Sequence, residues 1–148
     1  MALLTIVPFA IIGLYAVPVR DDFAYHTNAE RLGVIEAVFH YYTQWGGRYV
    51  SDTLLVLMHG TLPVETAYRF VAMVSIVVLV IAVWALLSAT LSGSVLGRGT
   101  LAPAVIITAI YVSRLYKPVE ALYWVPAVLT YTLNLALIAF LMAVLSRD

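Results

Sequence analysis

Long uncharged runs alternate with one mixed segment along this chain. Residues 2–19, 70–91, 99–113 and 121–146 carry no charged side chain. A helix that crosses a hydrocarbon core of ~30 Å needs about 20 apolar residues at a rise of 1.5 Å per residue. With flanking basic residues that can snorkel to the interface, the runs predict four transmembrane spans, at about residues 2–19, 67–91, 99–115 and 121–146.

The first run is also open to interpretation as a cleaved signal peptide. No basic residue precedes it, however, and it is longer than the usual apolar region of a signal peptide. We therefore expect a retained span. Four spans place both ends of the chain on one side of the membrane and put residues 20–66 in a loop on the other side.

Residues 20–66 have the pattern of two amphipathic helices. Thr27 and Glu30 have the spacing of a capping box, which predicts a helix start there, and Gly46-Gly47 predicts its end. The apolar stripes of the two helices are Leu32, Ile35, Phe39 and Tyr42 on the first, and Val50, Leu54, Leu57 and Met58 on the second, predicted over residues 48–59. Helices with one apolar face each are expected to lie on the membrane surface.

Composition supports this pattern. Hydrophobic residues make up 64% and charged residues 11% of the chain, and the mean hydropathy is +1.00. Soluble domains carry about 25% charged residues, so the composition predicts an all-α, polytopic membrane protein forming a single domain. A net charge of zero gives no footprint for nucleic acid, and the absence of cysteine excludes disulfides and thiolate chemistry.

Asp21 and Asp22 are the first candidates for chemistry. Neighbouring carboxylates repel each other, and a position near the low dielectric of the membrane disfavours their charged forms. Such a pair favours a base that works near neutral pH or a ligand for a divalent cation such as Mg or Mn. The alternative is that Arg20, Asp21 and Asp22 only mark the end of a helix in the headgroup region.

A third carboxylate, Glu120, is placed on the same side of the membrane by the number of spans. Basic residues near these carboxylates in the predicted topology, among them Arg48, Arg114 and Lys117, are suited to hold a phosphate-bearing lipid, and the carboxylates a metal. Arg114 and Lys117 are equally well explained as snorkelling anchors of a short third span.

Aromatic residues cluster at the same boundaries. Most of them fit an aromatic belt at the membrane interface, although Trp45, Tyr49 and Trp124 are also candidates for stacking on a sugar ring. The three histidines, His26, His40 and His59, lack the spacing of a metal site and are predicted to be surface or capping residues.

Three short motifs occur in an order that resembles the GT-C superfamily, the membrane glycosyltransferases that use polyprenyl-phosphate-linked sugars. They read Asp21-Asp22-Phe23, Trp45-Gly46-Gly47-Arg48-Tyr49 and Glu120-Ala121-Leu122-Tyr123-Trp124. The likeness is to a largely uncharacterised bacterial branch with DD[FY] and GR[YF] motifs, and it covers nearly the whole chain.

The resemblance implies an activity and roles for residues. Asp21 or Asp22 is expected to act as general base or to help bind a divalent cation, with assistance from Glu120. Arg48 is expected to hold the lipid phosphate, and Arg114 and Lys117 are placed there by position alone. The reaction would move a sugar from the polyprenyl phosphate to a glycan or lipid acceptor, on the external face of a bacterial cytoplasmic (inner) membrane, as a step in building the cell envelope.

Three features depart from the family pattern. Members have about twice as many spans, so the chain is expected to be an N-terminal portion that is inactive alone. Pro126-Ala127 stands where a glycine is expected. Six of the eight basic residues lie on the loop side, which opposes the positive-inside rule. We adopt the orientation of the family, which places the loop of residues 20–66 on the external side.

Two other functions remain open from sequence. One is a non-catalytic membrane assembly subunit that uses the loop helices for docking. The other is a small transporter component, which is less favoured because the clearest spans lack the ionisable residues of a polar pathway.

Overall fold

The computed structural model describes residues 2–46, 48–92 and 97–146, and these are mostly helical, with no strand among them. The helices are α1 (Ala2–Leu14), α2 (Arg20–Leu32), α3 (Val34–Gln44), α4 (Tyr49–Thr61), α5 (Val64–Ser92), α6 (Leu101–Ser113), α7 (Val125–Ala127) and α8 (Leu133–Leu145). A 3-10 turn at Arg98–Thr100 precedes α6, and π-helical turns occupy Val119–Tyr123 and Val128–Thr132. The all-α prediction is confirmed.

Two helical segments of the described chain are long and apolar enough to cross a membrane. They are Val64–Leu91 and Val125–Leu145. Leu4–Leu14 and Arg98–Ser113 are apolar but shorter. The helix α1 ends at Leu14, whereas the first predicted span reaches residue 19, and the full set of four spans stays a prediction.

The start of α2 corrects the predicted capping box. Thr27 lies in the middle of α2, which begins at Arg20. The cap is formed instead by Asp22, whose Oδ2 accepts a hydrogen bond of 2.9 Å from the backbone N–H of Val19. A carboxylate in the first turn satisfies a free amide and also interacts favourably with the positive end of the helix dipole.

The helix predicted to run from Thr27 to the glycine pair is broken at Gly33. Its φ of +85° lies in the left-handed region, which glycine adopts without the steric cost of a Cβ, and it separates α2 from α3. The second predicted helix is confirmed as α4, which extends past Gly60 to Thr61. Of the predicted glycine stop, Gly47 lies outside the described residues.

The predicted apolar faces of α3 and α4 are their exposed faces. Six of the eight predicted stripe residues are exposed, namely Ile35, Phe39, Tyr42, Val50, Leu54 and Leu57, whereas Leu32 and Met58 are partly buried against the core. The buried residues of the two helices are Ala37, Tyr41, Ser51, Asp52, Leu55, Val56 and His59. Several polar groups of these helices find partners inside the protein, so the apolar side chains are left on the outside. This arrangement suits an apolar environment.

One core cluster joins the loop helices to the apolar helices. Its buried members are Tyr25, Ala29, Ala37, Tyr41, Leu55, Val56, Tyr68, Val71, Val125 and Val128, from α2, α3, α4, α5, α7 and the second π turn. Nearby, the hydroxyl of Tyr123 donates a 2.8 Å hydrogen bond to the carbonyl of Phe9. Residues 20–61 therefore form a layer of three helices docked on α5 and the segment before α8.

Candidate functional site

The two adjacent aspartates face different surroundings. Asp22 is fully buried, whereas Asp21 is exposed and borders a cavity of about 160 Å³. Successive residues of an α-helix point about 100° apart, so both carboxylates of one turn do not enter the same space. Asp21 is therefore the aspartate that a ligand can reach.

Aromatic and polar side chains from α2 and α3 line the cavity beside Asp21. They are Tyr25, Asn28, His40, Tyr41 and Trp45. The rings of Tyr25 and Tyr41 stack with centroids 4.2 Å apart, and Asn28 Nδ2 donates a 2.8 Å hydrogen bond to the Tyr41 hydroxyl. Those two rings are buried, but the exposed ring of Trp45, together with an amide, an imidazole and one carboxylate, suits a hydroxyl-bearing ring as ligand.

A layer of buried polar groups from α4 lies behind this cavity. His59 Nε2 is 3.6 Å from Asp22 Oδ1, and both side chains are fully buried. The Tyr25 hydroxyl donates a 3.0 Å hydrogen bond to Asp52 Oδ1, also buried. In addition, His26 Nδ1 lies 2.7 Å from the carbonyl oxygen of His59. α2 is thus joined to α4 by polar contacts at both ends of the layer.

Asp52 is not among the residues predicted from sequence, and the prediction that His59 is a surface or capping residue is wrong, because its side chain is fully buried. The two residues are seven apart on α4, which is two helical turns, so they lie on one face. That face is the polar side of the helix, opposite to the predicted apolar stripe. The spacing of Asp52 and His59 indicates a polar face of this helix, but the structure buries that face instead of exposing it to water.

A divalent cation held jointly by Asp21 and Asp22 does not fit this arrangement. Asp22 is committed to the Val19 N–H and to His59, and Asp21 faces the other way. Within the described ranges, no group of three acidic or histidine side chains is close enough to hold a metal ion. A metal at Asp21 stays a prediction, and no step proposed below uses one.

Arg48 and Tyr49, at the start of α4, border a second cavity of about 340 Å³. Ser51, Thr130 and Asn134 supply further polar groups to its wall. Leu129 and Leu133 line both this cavity and an apolar groove of about 380 Å³ that continues between α4, α5 and the chain before α8. The polar cavity of Arg48 and the apolar groove are therefore neighbours that share two wall residues.

The remaining predicted residues do not join Asp21. Glu120 is exposed and forms an ion pair of 2.8 Å with Lys117, three residues earlier. Arg114 is exposed at the end of α6. Trp124 is half-buried between the two π turns and does not line the cavity of Asp21, whereas Trp45 does. The structure thus brings together Asp21 and Trp45, and separately Arg48 and Tyr49.

The tyrosines of the cavity are held in their neutral form. Burial, together with the Asp52 carboxylate to which it donates, raises the pKa of Tyr25 far above its ordinary value of 10.0. Burial likewise raises the pKa of Tyr41. Both hydroxyls therefore stay hydrogen-bond donors over the whole physiological range.

A dependence of stability on alkaline pH follows from these shifts. The unfolded chain loses the Tyr25 and Tyr41 protons near pH 10.0, while the native protein keeps them, so the native state binds more protons there. The free energy of unfolding is therefore expected to fall as the pH rises above 10. Denaturant titrations in detergent at increasing pH measure this slope. Tyr25→Phe should flatten it, Tyr116→Phe serves as the exposed control, and an unchanged slope in Tyr25→Phe contradicts the interpretation.

Comparison with known proteins finds no family model that matches the chain, and no similar curated protein or solved structure.

Proposed function

We propose that this chain is a module of a GT-C-like integral membrane glycosyltransferase that transfers a sugar from a polyprenyl-phosphate donor. The observation that carries the proposal is the accessible carboxylate of Asp21 in a cavity walled by stacked aromatic rings and an amide. Carboxylates are common general bases, and aromatic faces pack on sugar rings.

In the proposed reaction, Asp21 accepts the proton of an acceptor hydroxyl. The oxygen of that hydroxyl attacks the anomeric carbon of the sugar, and the bond between this carbon and the phosphate oxygen breaks. The products are the glycosylated acceptor, the polyprenyl phosphate and a protonated Asp21, which releases its proton to water. Positioning of the two substrates supplies the remaining lowering of the barrier.

The cavity of Arg48 is suited to the phosphate of the donor, and the adjoining apolar groove to its prenyl chain. A guanidinium offers several donors in a fork that matches phosphate oxygens. Trp45, beside Asp21, is three residues from Arg48, so their Cα atoms are at most about 11 Å apart. The two cavities thus lie close together along the chain, and we propose that a single donor places its phosphate at Arg48 and its sugar beside Asp21.

The proposed location is a bacterial cytoplasmic (inner) membrane, crossed several times, with the three-helix layer on the extracytoplasmic face. The apolar helices supply the spans, and the exposed apolar faces of α3 and α4 contact lipid at the interface. Lipid-linked sugars and their glycan or lipid acceptors meet at such an interface.

Single cysteines test this orientation, because the chain has none of its own. A labelled position must be exposed, which excludes buried serines of the loop such as Ser51. The two cysteines are therefore placed at Thr43, which is exposed at the end of α3, and at Gly99, beside which nothing lies within 4 Å. A membrane-impermeant maleimide is applied to cells with a permeabilised outer barrier. We expect labelling of Thr43→Cys and not of Gly99→Cys. The reverse pattern puts Asp21 in the cytoplasm and refutes the orientation.

The activity is tested with membranes that contain the protein, supplied with a panel of polyprenyl-phosphate sugars. Release of polyprenyl phosphate in the presence of acceptor measures transfer. Arg48→Gln is expected to raise the KM for the donor by about 10-fold or more, because a hydrogen bond to a charged group contributes about 1.5–3 kcal/mol. Arg98→Gln, which changes an arginine remote in topology, is the control. No release by the native protein across the panel favours the assembly subunit instead.

A further inference from the structure

The pair formed by Asp22 and His59 has no direct access to a ligand. Both side chains are fully buried, and neither ring nitrogen of His59 has a hydrogen-bond partner of 3.5 Å or less in the described part of the chain. Burial of two ionisable groups costs several kcal/mol per ion, and apolar residues of similar volume often stabilise a protein as well or better. A purely stabilising role therefore does not explain this pair, and its role is better inferred from where the pair lies.

That position is directly behind the cavity. Asp22 and Tyr25 are three residues apart and share the face of α2 that packs on α4, where each meets one polar partner, His59 and Asp52. Asp21 is about 100° away around the helix, on the cavity side. A rotation of α2 that removed Asp21 from the cavity would have to break both contacts.

We propose that α4 supplies two positioning residues, His59 and Asp52, which fix the rotation of α2 so that Asp21 and the ring of Tyr25 face the cavity. Asp22 then serves as the partner of His59 and the cap of α2, and only Asp21 reacts. The assignment deepens the proposed function and rests on it for its effect on transfer. The fixed rotation itself is tested without any activity.

Thiol labelling measures the placement of residue 21 directly. The thiol introduced by Asp21→Cys is compared with one introduced by Thr27→Cys, an exposed position on the same helix. Each is reacted with a charged methanethiosulfonate in the detergent-purified protein. In a His59→Phe background we expect the rate at position 21 to rise by at least about fivefold, since Asp22 is left buried and unpaired, with no change at position 27.

A double variant that removes both members of the pair distinguishes positioning from a general loss of structure. Asp22→Asn removes the unpaired charge, so Asp22→Asn combined with His59→Phe should return the rate at position 21 to within about twofold of the original, because removing both partners is often nearly neutral. Asp52→Asn keeps an acceptor for the Tyr25 hydroxyl and should label like the parent, whereas Asp52→Leu should label faster at position 21.

Two results overturn the proposal. One is an unchanged rate at position 21 in both His59→Phe and Asp52→Leu. The other is an equal rise at positions 21 and 27, which means that the whole helix has come loose. The sugar-transfer assay separates this proposal from the proposed glycosyltransferase function. If the labelling behaves as expected but no sugar is transferred, the positioning stands and the glycosyltransferase assignment fails.

Discussion

Replacing Asp21 with asparagine is expected to lower kcat for sugar transfer by about 10²- to 10⁴-fold, the usual contribution of a positioned general base. The amide has nearly the same shape and leaves the cavity walls in place, but it does not accept the proton of the acceptor hydroxyl. Because Asp21 is exposed and has no buried partner to lose, the fold should be unaffected. The KM for the donor should change little, since the proposed phosphate subsite is at Arg48.

Two variants on the same helix serve as controls for Asp21→Asn. Glu30→Gln changes an exposed carboxylate outside the cavity and should retain transfer. Asp22→Asn should show a smaller loss than Asp21→Asn, and detergent-purified samples of all three should have similar circular dichroism. A larger loss in Asp22→Asn than in Asp21→Asn would exchange the roles of the two aspartates. Full activity in Asp21→Asn would remove Asp21 from the mechanism.

The second large effect is expected at Gly60, where α4 approaches α2 and α3 closely. A Cβ at this position would lie 2.9 Å from Val34 Cγ2 and 3.2 Å from Ala29 Cβ. Gly60→Leu therefore forces the three helices apart, at a cost of about 1–3 kcal/mol in the free energy of unfolding. The neighbouring His59 moves with α4, so the contact to Asp22 is lost as well.

Thermal unfolding in detergent, followed by circular dichroism, measures the effect of Gly60→Leu. Gly99→Leu is the matched control, because nothing lies within 4 Å of the corresponding Cβ. We expect a clearly lowered Tm for the first variant and little change for the second. Equal Tm values would show that the loop helices do not pack as tightly as the structure indicates.

Local patterns predicted the elements well where the pattern is long or sharply punctuated. The apolar runs predicted the helices that contain residues 70–91 and 133–145, and the amphipathic stretch after Arg48 predicted α4 within two residues at each end. The capping box at Thr27 failed because Asp22 offers a stronger cap five residues earlier, in the first turn of the same helix. Gly33 was not recognised as a helix break because an isolated glycine is also tolerated inside helices.

The orientation of α3 and α4 could not be derived from periodicity. A helical stripe shows that a helix has two faces, but the choice of the inner face depends on the surroundings. In water the apolar face turns inward, and beside lipid it can turn outward. Ile35 and Phe39 illustrate this, because their spacing correctly places them on one helical face, and the exposure of that face is compatible with the expected position on a membrane surface.

Only part of the candidate site could be predicted from the sequence, because the rest depends on tertiary contacts. Asp21 and Trp45 were identified from short motifs, and the structure places them at one cavity. His59 and Asp52 act on residues that are 37 and 27 positions away in sequence, and no local spacing encodes such a contact. Burial is the property that reveals them, and burial requires the tertiary structure.

The inward polar face of α4 also constrains how the protein is made. Synthesis proceeds from the N-terminus, so α2 leaves the ribosome before α4 and its Asp22 and Tyr25 are in place when Asp52 and His59 emerge. Without α2, the α4 segment would expose a carboxylate and an imidazole on one side and bare leucines on the other. Correct biogenesis of the layer therefore depends on α2 being retained at the interface until α4 arrives, and a chain with the order of these two helices exchanged would lose that advantage.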